Sequence, residues 1–234
     1  MLDCISVENM RLSDAITIEK YVPSLELMHR AAMGVFQAAK WHGKVAIMVG
    51  SGNNGGDGFA LACILHEHKI DCAIFTISQR QSADSAHCAA KATDLGVPIS
   101  PFVPGCLDGF GMVVDCLLGT GFQGALRENY RTAIKEINAS NAQVISVDIN
   151  SGMNGDTGEG ELIVRSDLTV TIGFVKNGLV TPNAGNYMKR LVCADIGIRL
   201  AKEENKICAT GEHHANAIPC PPWLDMAAID VSSI

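Results

Sequence analysis

Three short stretches of the chain carry residue types that could do chemistry. In the first, the apolar run Val45-Ala46-Ile47-Met48-Val49 leads into Gly50-Ser51-Gly52-Asn53-Asn54-Gly55-Gly56-Asp57-Gly58. Glycine has no Cβ, so backbone N–H groups in such a loop can close on an anion, and a helix after it adds the positive end of its dipole. A loop that only holds phosphate has no need of carboxamides and a carboxylate, so Asn53, Asn54 and Asp57 point to a further guest. The second stretch centres on Asp115, set between Met112-Val113-Val114 and Cys116-Leu117-Leu118 and followed by Gly119-Thr120-Gly121-Phe122-Gln123-Gly124. An ionised carboxylate in an apolar run is costly unless it is paired or faces a cation. The third is Asp148, which follows Val144-Ile145-Ser146-Val147 and precedes Ile149-Asn150-Ser151-Gly152. A carboxyl at that kind of strand end can act as a general acid or base, or can orient a hydroxyl or ring nitrogen.

The oxygen-only company of the Asn54 amide, the Asp115 carboxylate, the Ser151 hydroxyl and loop carbonyls suits a hard cation. The alternative for Asp115 is that it accepts N–H bonds from a neighbouring loop and binds nothing. Asp148 has no histidine within sequence reach, which fits proton transfer better than a Ser-His-Asp triad. His66 and His68 fall at a helix end and His213-His214 in the terminal segment; all four read as solvated surface. Both glycine loops match G-x-G-x-x-G, at Gly50/Gly52/Gly55 and at Gly119/Gly121/Gly124. A dinucleotide dehydrogenase also wants an acid about 20 residues on, at the end of the second strand. That strand ends Phe75-Thr76-Ile77-Ser78, with Asp71 at its beginning, so a nicotinamide-linked oxidoreductase loses ground.

The elements that must position these residues alternate along the chain. Residues 45–49, 72–76, 112–118, 144–149, 168–172 and 191–194 read as strands, with a weaker one at 97–99. Residues 6–39 read as two helices parted at Val22-Pro23-Ser24, with Ser24 capping the second. Further helices fall at 59–68, 82–95 and 129–139. Apolar strands alternating with helices define an α/β fold, a doubly wound, mostly parallel sheet with helices on both faces, Rossmann-like in three layers. Ligands of such sheets bind outside the carboxyl ends of the strands, where all three stretches meet on one rim. Residues 1–200 form one domain; residues 201–234, polar and then proline-rich at Pro219-Cys220-Pro221-Pro222, form a C-terminal tail with no assigned role.

The net charge of -7 and the absence of a basic run argue against nucleic acid as a partner. No run is apolar for long enough to span a membrane, and Met1-Leu2-Asp3-Cys4 does not open a signal peptide. The 9 cysteines are scattered, without C-x-x-C or zinc spacing, and suit a reducing, cytoplasmic setting.

With these residues assembled, the chain resembles the NAD(P)H-hydrate epimerases, also called the YjeF N-terminal domain family, over about residues 7–198. The likeness rests on Asn9-Met10-Arg11 with Asp14, Leu27-Met28 with Arg30-Ala31, the glycine block at 52–58, and Asp115-Cys116-Leu117-Leu118-Gly119-Thr120-Gly121. It continues through Val147-Asp148-Ile149 with Ser151-Gly152, Asp156-Thr157-Gly158, Lys176 with Gly178-Leu179, and Asp195-Ile196-Gly197-Ile198. The resemblance implies an isomerase that interconverts the R and S forms of hydrated NADH and NADPH, NAD(P)HX, a repair of dihydronicotinamides damaged by water. It implies substrate contacts from Asn53, Asn54, Gly55, Gly56 and Asp57, from Gly119, Thr120, Gly121, Phe122, Gln123, Gly124 and Ala125, and from Asp148. It further implies one potassium ion per subunit, held by Asn54, Asp115 and Ser151, and a homodimer. For that reaction Asp148 is the expected catalytic group, donating a proton to the leaving hydroxyl and then activating water for the opposite face. This chain departs from the family in carrying Asn150 where proline is frequent, an exchange expected to loosen the turn beside the ion site. It also has Gln123 where some relatives carry lysine, with Arg127 close enough in sequence to take over a phosphate contact. A non-catalytic nucleotide-binding or scaffold module of the same fold is the alternative. The joint presence of Asn54, Asp115, Asp148 and Ser151 favours the enzyme.

Overall fold

A computed structural model describes residues 1–208 and 216–233; His213 and His214 lie outside the described residues. In chain order, β1 (Leu2–Ile5) leads to α1 (Val7–Lys20), α2 (Ser24–Ala38), β2 (Val45–Val49), α3 (Asn53–Glu67), β3 (Cys72–Thr76) and α4 (Ala83–Asp94). Next come β4 (Ile99–Pro101), β5 (Met112–Cys116), α5 (Glu128–Ala139), β6 (Gln143–Val147), β7 (Leu168–Ile172) and β8 (Val175–Lys176). The chain finishes with β9 (Leu191–Asp195), β10 (Asn205–Cys208), β11 (Ala217–Pro219) and β12 (Ile229–Asp230).

Among the described residues, eight strands form one parallel sheet in the order β12-β9-β7-β6-β5-β2-β3-β4. From β2 the chain winds outward through β3 and β4, then returns to the other side of β2 and winds through β5, β6 and β7. The direction reverses between β2 and β5, and an open α/β sheet binds its ligand at that crevice. Both strands are buried along their whole length, which is why they read as continuous apolar runs rather than alternating ones. On one face, Val35, Phe59, Leu61, Leu65 and Ala92 of α2, α3 and α4 pack on Ile47, Val49, Val114 and Ile145. On the other, Tyr130, Ile134 and Ile137 of α5 pack on Ala46, Met48, Val113 and Val144. A small second sheet, β11-β10-β1-β8, covers Leu191 and Cys193 beside it. The expected doubly wound architecture is therefore present, with a β element sharing the second face.

Local details differ from the expectations. Ser24 does not cap α2; Pro23 holds the N-cap position and Ser24 is already helical, whereas Ser6 and Ser82 do cap α1 and α4 by accepting from Asn9 and Ser85 amides. The weak strand forms at Ile99–Pro101, two residues beyond the expected start. The largest difference is that α3 begins at Asn53, so the true loop is only Gly50-Ser51-Gly52. Glycines are poor helix formers, and tertiary packing overrides that preference here. A Cβ on Gly55 would lie 2.4 Å from the Gly50 carbonyl oxygen, and one on Gly58 would lie 2.8 Å from Val49 Cγ1. These glycines let the helix start press against β2.

The described residues after β9 include further strands. Strand β10 pairs antiparallel with β1, and β12 extends the main sheet beside β9. Between β9 and β10, residues 199–204 hold α1 in place. The amides of Arg199 and Ala201 donate to Thr17 Oγ1 and Ser13 Oγ at 2.8 and 3.0 Å, and Asn9 Nδ2 donates to the Lys202 carbonyl at 2.6 Å.

Candidate active site

A cavity of about 510 Å³ opens at the carboxyl ends of β2, β5 and β6, within the roughly 300–1,000 Å³ usual for small-molecule sites. Residues Asn53, Asn54 and Asp57 line it from α3, Gly119, Thr120, Gly121 and Phe122 from the loop after β5, and Asp148 from the end of β6. Helix α1 supplies Arg11 and Asp14 as a further wall. The amides of Asn53 and Asn54 open α3 and have no intrahelical acceptor, which leaves them for an anion. Five expected contacts stand elsewhere. Gly55 and Gly56 are buried in helix packing, and Gln123, Gly124 and Ala125 are exposed on the loop, off the cavity wall. Arg127 is exposed at the start of α5, so Arg11, not Arg127, is the cation on the wall.

Strand β6 stops at Val147, and Asp148 turns the chain with φ +68°, the Ile149 amide donating back to the Val147 carbonyl at 2.8 Å. Such a γ-turn in left-handed backbone costs on the order of 1–3 kcal/mol, and aspartate is among the few non-glycine residues found there. The turn aims the carboxylate at the cavity. Its Oδ1 accepts from Lys176 Nζ at 2.5 Å and its Oδ2 from the Thr120 amide at 3.4 Å. Lys176 is fully buried, and its ammonium also donates to Thr171 Oγ1 at 3.0 Å and the Ile172 carbonyl at 2.7 Å. Asp148 therefore does not work alone, as the residue types had suggested; it shares an ion pair. The signal was legible, because a lysine beside the apolar Phe174-Val175 needs a carboxylate partner if it is buried.

Asp115 lies beneath the cavity, fully buried. Strand register puts it in a row with Met48, Ser146 and Thr169. Its Oδ1 accepts from Ser151 Oγ at 2.5 Å and the Leu117 amide at 3.2 Å; its Oδ2 accepts from the Ser151 amide at 2.9 Å and Ser146 Oγ at 3.0 Å. Burial pushes its carboxyl above the ordinary range, and the bonds from Ser151, Leu117 and Ser146 pull it back. The loop-capping alternative thus describes what Asp115 does within the chain. Ser151 Oγ also accepts from the Leu118 amide at 2.9 Å, which ties the β5 and β6 loops together.

The residues present also fit a large monovalent cation. Asn54 lines the cavity at 8 % exposure, yet neither its Oδ1 nor its Nδ2 has a hydrogen-bond partner among the described residues. Among the described residues no cationic side chain appears among the groups that shift Asp115, and an unmet buried acceptor with an unbalanced buried carboxylate is what a hard cation would satisfy.

Asn150 overturns the expectation of a loosened turn. It is fully buried. Its Nδ2 donates to the Val164 carbonyl, Ser166 Oγ and the Tyr187 carbonyl at 2.9, 3.0 and 3.1 Å, and its Oδ1 accepts from Thr169 Oγ1 at 2.6 Å. A proline there could make none of these bonds. Asn150→Ala is expected to cost about 2–4 kcal/mol, since each buried group left unpaired costs about 1–3 kcal/mol. Urea unfolding checks this; a loss under 1 kcal/mol would show that the network contributes little.

Two other carboxyls on the cavity wall are displaced from their ordinary range. Burial, chiefly, pushes Asp14 up to about 6, with Lys176 opposing and Asp148 reinforcing the shift. Burial likewise holds Asp57 well above the usual range, helped by Asp148 and Asp14. Residue-type reasoning gave Asp14 no part in the chemistry.

A doubly wound sheet whose crevice is built from a glycine-opened helix, a second glycine loop and a strand-end aspartate defines the class. The family described as YjeF-related protein N-terminus matches residues 24–178, and the chain belongs to that family. Among relatives, it is 38% identical over 199 residues to a Limosilactobacillus fermentum protein named NAD(P)H-hydrate epimerase, covering 82% of this chain and 95% of that one. It is 35% identical over 214 residues to the Archaeoglobus fulgidus bifunctional NAD(P)H-hydrate repair enzyme Nnr, covering 90% of this chain and 45% of that longer protein. The crystal structure of yeast YNL200c shares the fold, with TM-score 0.73 at 19% identity over 89% of this chain and 98% of that one.

Proposed function

We infer that the protein is an NAD(P)H-hydrate epimerase, an isomerase that interconverts the R and S forms of NAD(P)HX. The observation that carries this reading is Asp148, a strand-end carboxylate paired with the buried Lys176 on the wall of a cavity that also offers helix-start amides. The reading is supported by the relatives of that name, whose length this chain nearly spans.

The substrate is a dinucleotide, and its pyrophosphate belongs at the Asn53 and Asn54 amides, with Arg11 as the nearby cation. In the damaged ring the hydroxyl sits on a carbon beside the ring nitrogen. Once protonated, it leaves as water with the C–O electron pair, and the nitrogen lone pair closes a C=N bond. Water then adds to the opposite face and gives its proton to a carboxylate. Asp148 takes the acid–base role, and Lys176 holds its carboxylate in register. Asn54, Asp115 and Ser151 would hold one potassium ion, whose charge offsets Asp115 beneath a cavity that receives an anion. The proposal extends to a homodimer, supported by Leu12, Ile18, Tyr21 and Leu25, large apolar side chains exposed on and just after α1. The unpaired state of all its cysteines supports a reducing, cytoplasmic setting.

Incubation with the purified S form, followed by chromatography, is expected to yield the R form until the two equilibrate. Binding without interconversion would instead establish the non-catalytic module. No helix among the described residues is long and apolar enough to cross a membrane.

A further inference from the structure

We propose that Asp14 is the second acid–base group of the epimerisation, serving the ring face opposite the one that Asp148 serves. The proposal rests on the epimerase reading. Inversion takes the hydroxyl from one face and returns it to the other, and a single fixed carboxyl reaches one face well. Among the carboxyls on the cavity wall, Asp148 and Asp14 come from different elements, the end of β6 and α1. Their surroundings differ. Asp148 is bound to a buried ammonium and a backbone amide, whereas no hydrogen bond adds to the burial and charges that shift Asp14. The groups facing Asp14 are Lys176 of β8, Asp148, and Asp57 of α3, with Arg11 beside it on the cavity wall. Asn54, buried on the same wall with both side-chain polar atoms unpartnered, independently marks the space as one that a polar ligand fills.

Helix α1 is fixed where a catalytic group would need it. Its two residues flanking Asp14 on the buried face, Ser13 and Thr17, accept from the amides of Ala201 and Arg199. Burial moves Asp14 up to about 6, so near neutral pH it can hold or release a proton, and two carboxyls set apart by their environments are the usual arrangement for an acid and a base.

The step balances. Protonated Asp14 gives its proton to the hydroxyl of one epimer, the C–O pair leaves with the oxygen as water, and the ring nitrogen lone pair forms C=N. A water on the other face adds to that carbon and passes a proton to the Asp148 carboxylate. Running backward, the two residues exchange roles, and between turnovers the proton re-equilibrates through solvent.

Each epimer, labelled with ¹⁸O at the hydroxyl, is incubated in ordinary water with wild type and with Asp14→Asn. In wild type, loss of label is expected to accompany inversion from both epimers. In Asp14→Asn, inversion is expected to fall about 100-fold or more, while label still washes out of the one epimer whose hydroxyl Asp148 protonates. The active enzyme carries one proton on the carboxyl pair, so kcat/KM should fall tenfold per pH unit as that proton is lost, equally in both directions. In Asp14→Asn the proton comes from Asp148 alone, so the alkaline limb should be displaced from its wild-type position. Inversion retained within about threefold, or washout lost equally from both epimers, would overturn the role of Asp14. Absence of interconversion by wild type would instead overturn the epimerase reading itself.

Discussion

Asp148→Asn is expected to lower kcat for epimerisation by roughly 100- to 10,000-fold, the range of a lost acid–base group, and to destabilise the fold as well. Asparagine tolerates the left-handed backbone that position 148 requires, with φ +68°, so the turn itself should survive. The destabilisation comes from Lys176, whose fully buried ammonium loses its charged partner. Breaking such a pair by removing one member costs about 3–5 kcal/mol. A weakened fold and a lost proton carrier would therefore be confounded in the single variant. Asp148→Asn combined with Lys176→Met separates them, because the apolar methionine leaves no charge to solvate. The double variant should recover much of the urea midpoint and none of the turnover. Recovery of turnover along with stability would remove Asp148 from the chemistry.

The second large effect is at Asp115. Asp115→Ala strands the Ser151 hydroxyl and amide, the Leu117 amide and the Ser146 hydroxyl in a dry interior. With about 1–3 kcal/mol for each unsatisfied buried group, relaxed in part by local shifts, a loss of about 4–5 kcal/mol is expected. Asp115→Asn is milder in size but puts an NH₂ where donors already converge, and about 2–3 kcal/mol should be lost. The same variant tests the cation. If potassium binds the folded state, wild-type stability should rise with potassium over an equal concentration of a bulky organic cation, by RT ln(1 + [K⁺]/Kd). Asp115→Asn should lose that increment. An Asp115→Ala protein within 1 kcal/mol of wild type would show that the carboxylate is not the tie between the two loops.

Much of this was legible in residue order. The strands are continuous apolar runs because both faces of the sheet are covered, and that pattern gives a parallel α/β fold directly. Asp115 and Asp148 stood out because a charge in or beside such a run demands a reason. What residue order could not give was partnership across the sheet. Lys176 reaches Asp148 from β8, a two-residue strand too short to show a period. The importance of Asn150 depends on Val164, Ser166, Thr169 and Tyr187 coming together, and only the strand order does that. The helical start at Asn53 was hidden because glycine-rich composition argues against helix and packing decides otherwise. Asp14 carries no such signal, because one turn of α1 says nothing of what the helix faces.

The clasp between the two ends of the chain bears on how the molecule comes together. Leu2 pairs with Ile207, and Ser13 receives the Ala201 amide across 188 residues. Contacts so remote in sequence carry the largest loop-closure penalty and form late, after nearer pairings have drawn the chain into register. The central strands and their covering helices can assemble from neighbouring segments, while the wall bearing Arg11 and Asp14 must wait for residues near 200. During synthesis, strands β2 to β7 can pair before residues near 200 arrive to seal the substrate chamber.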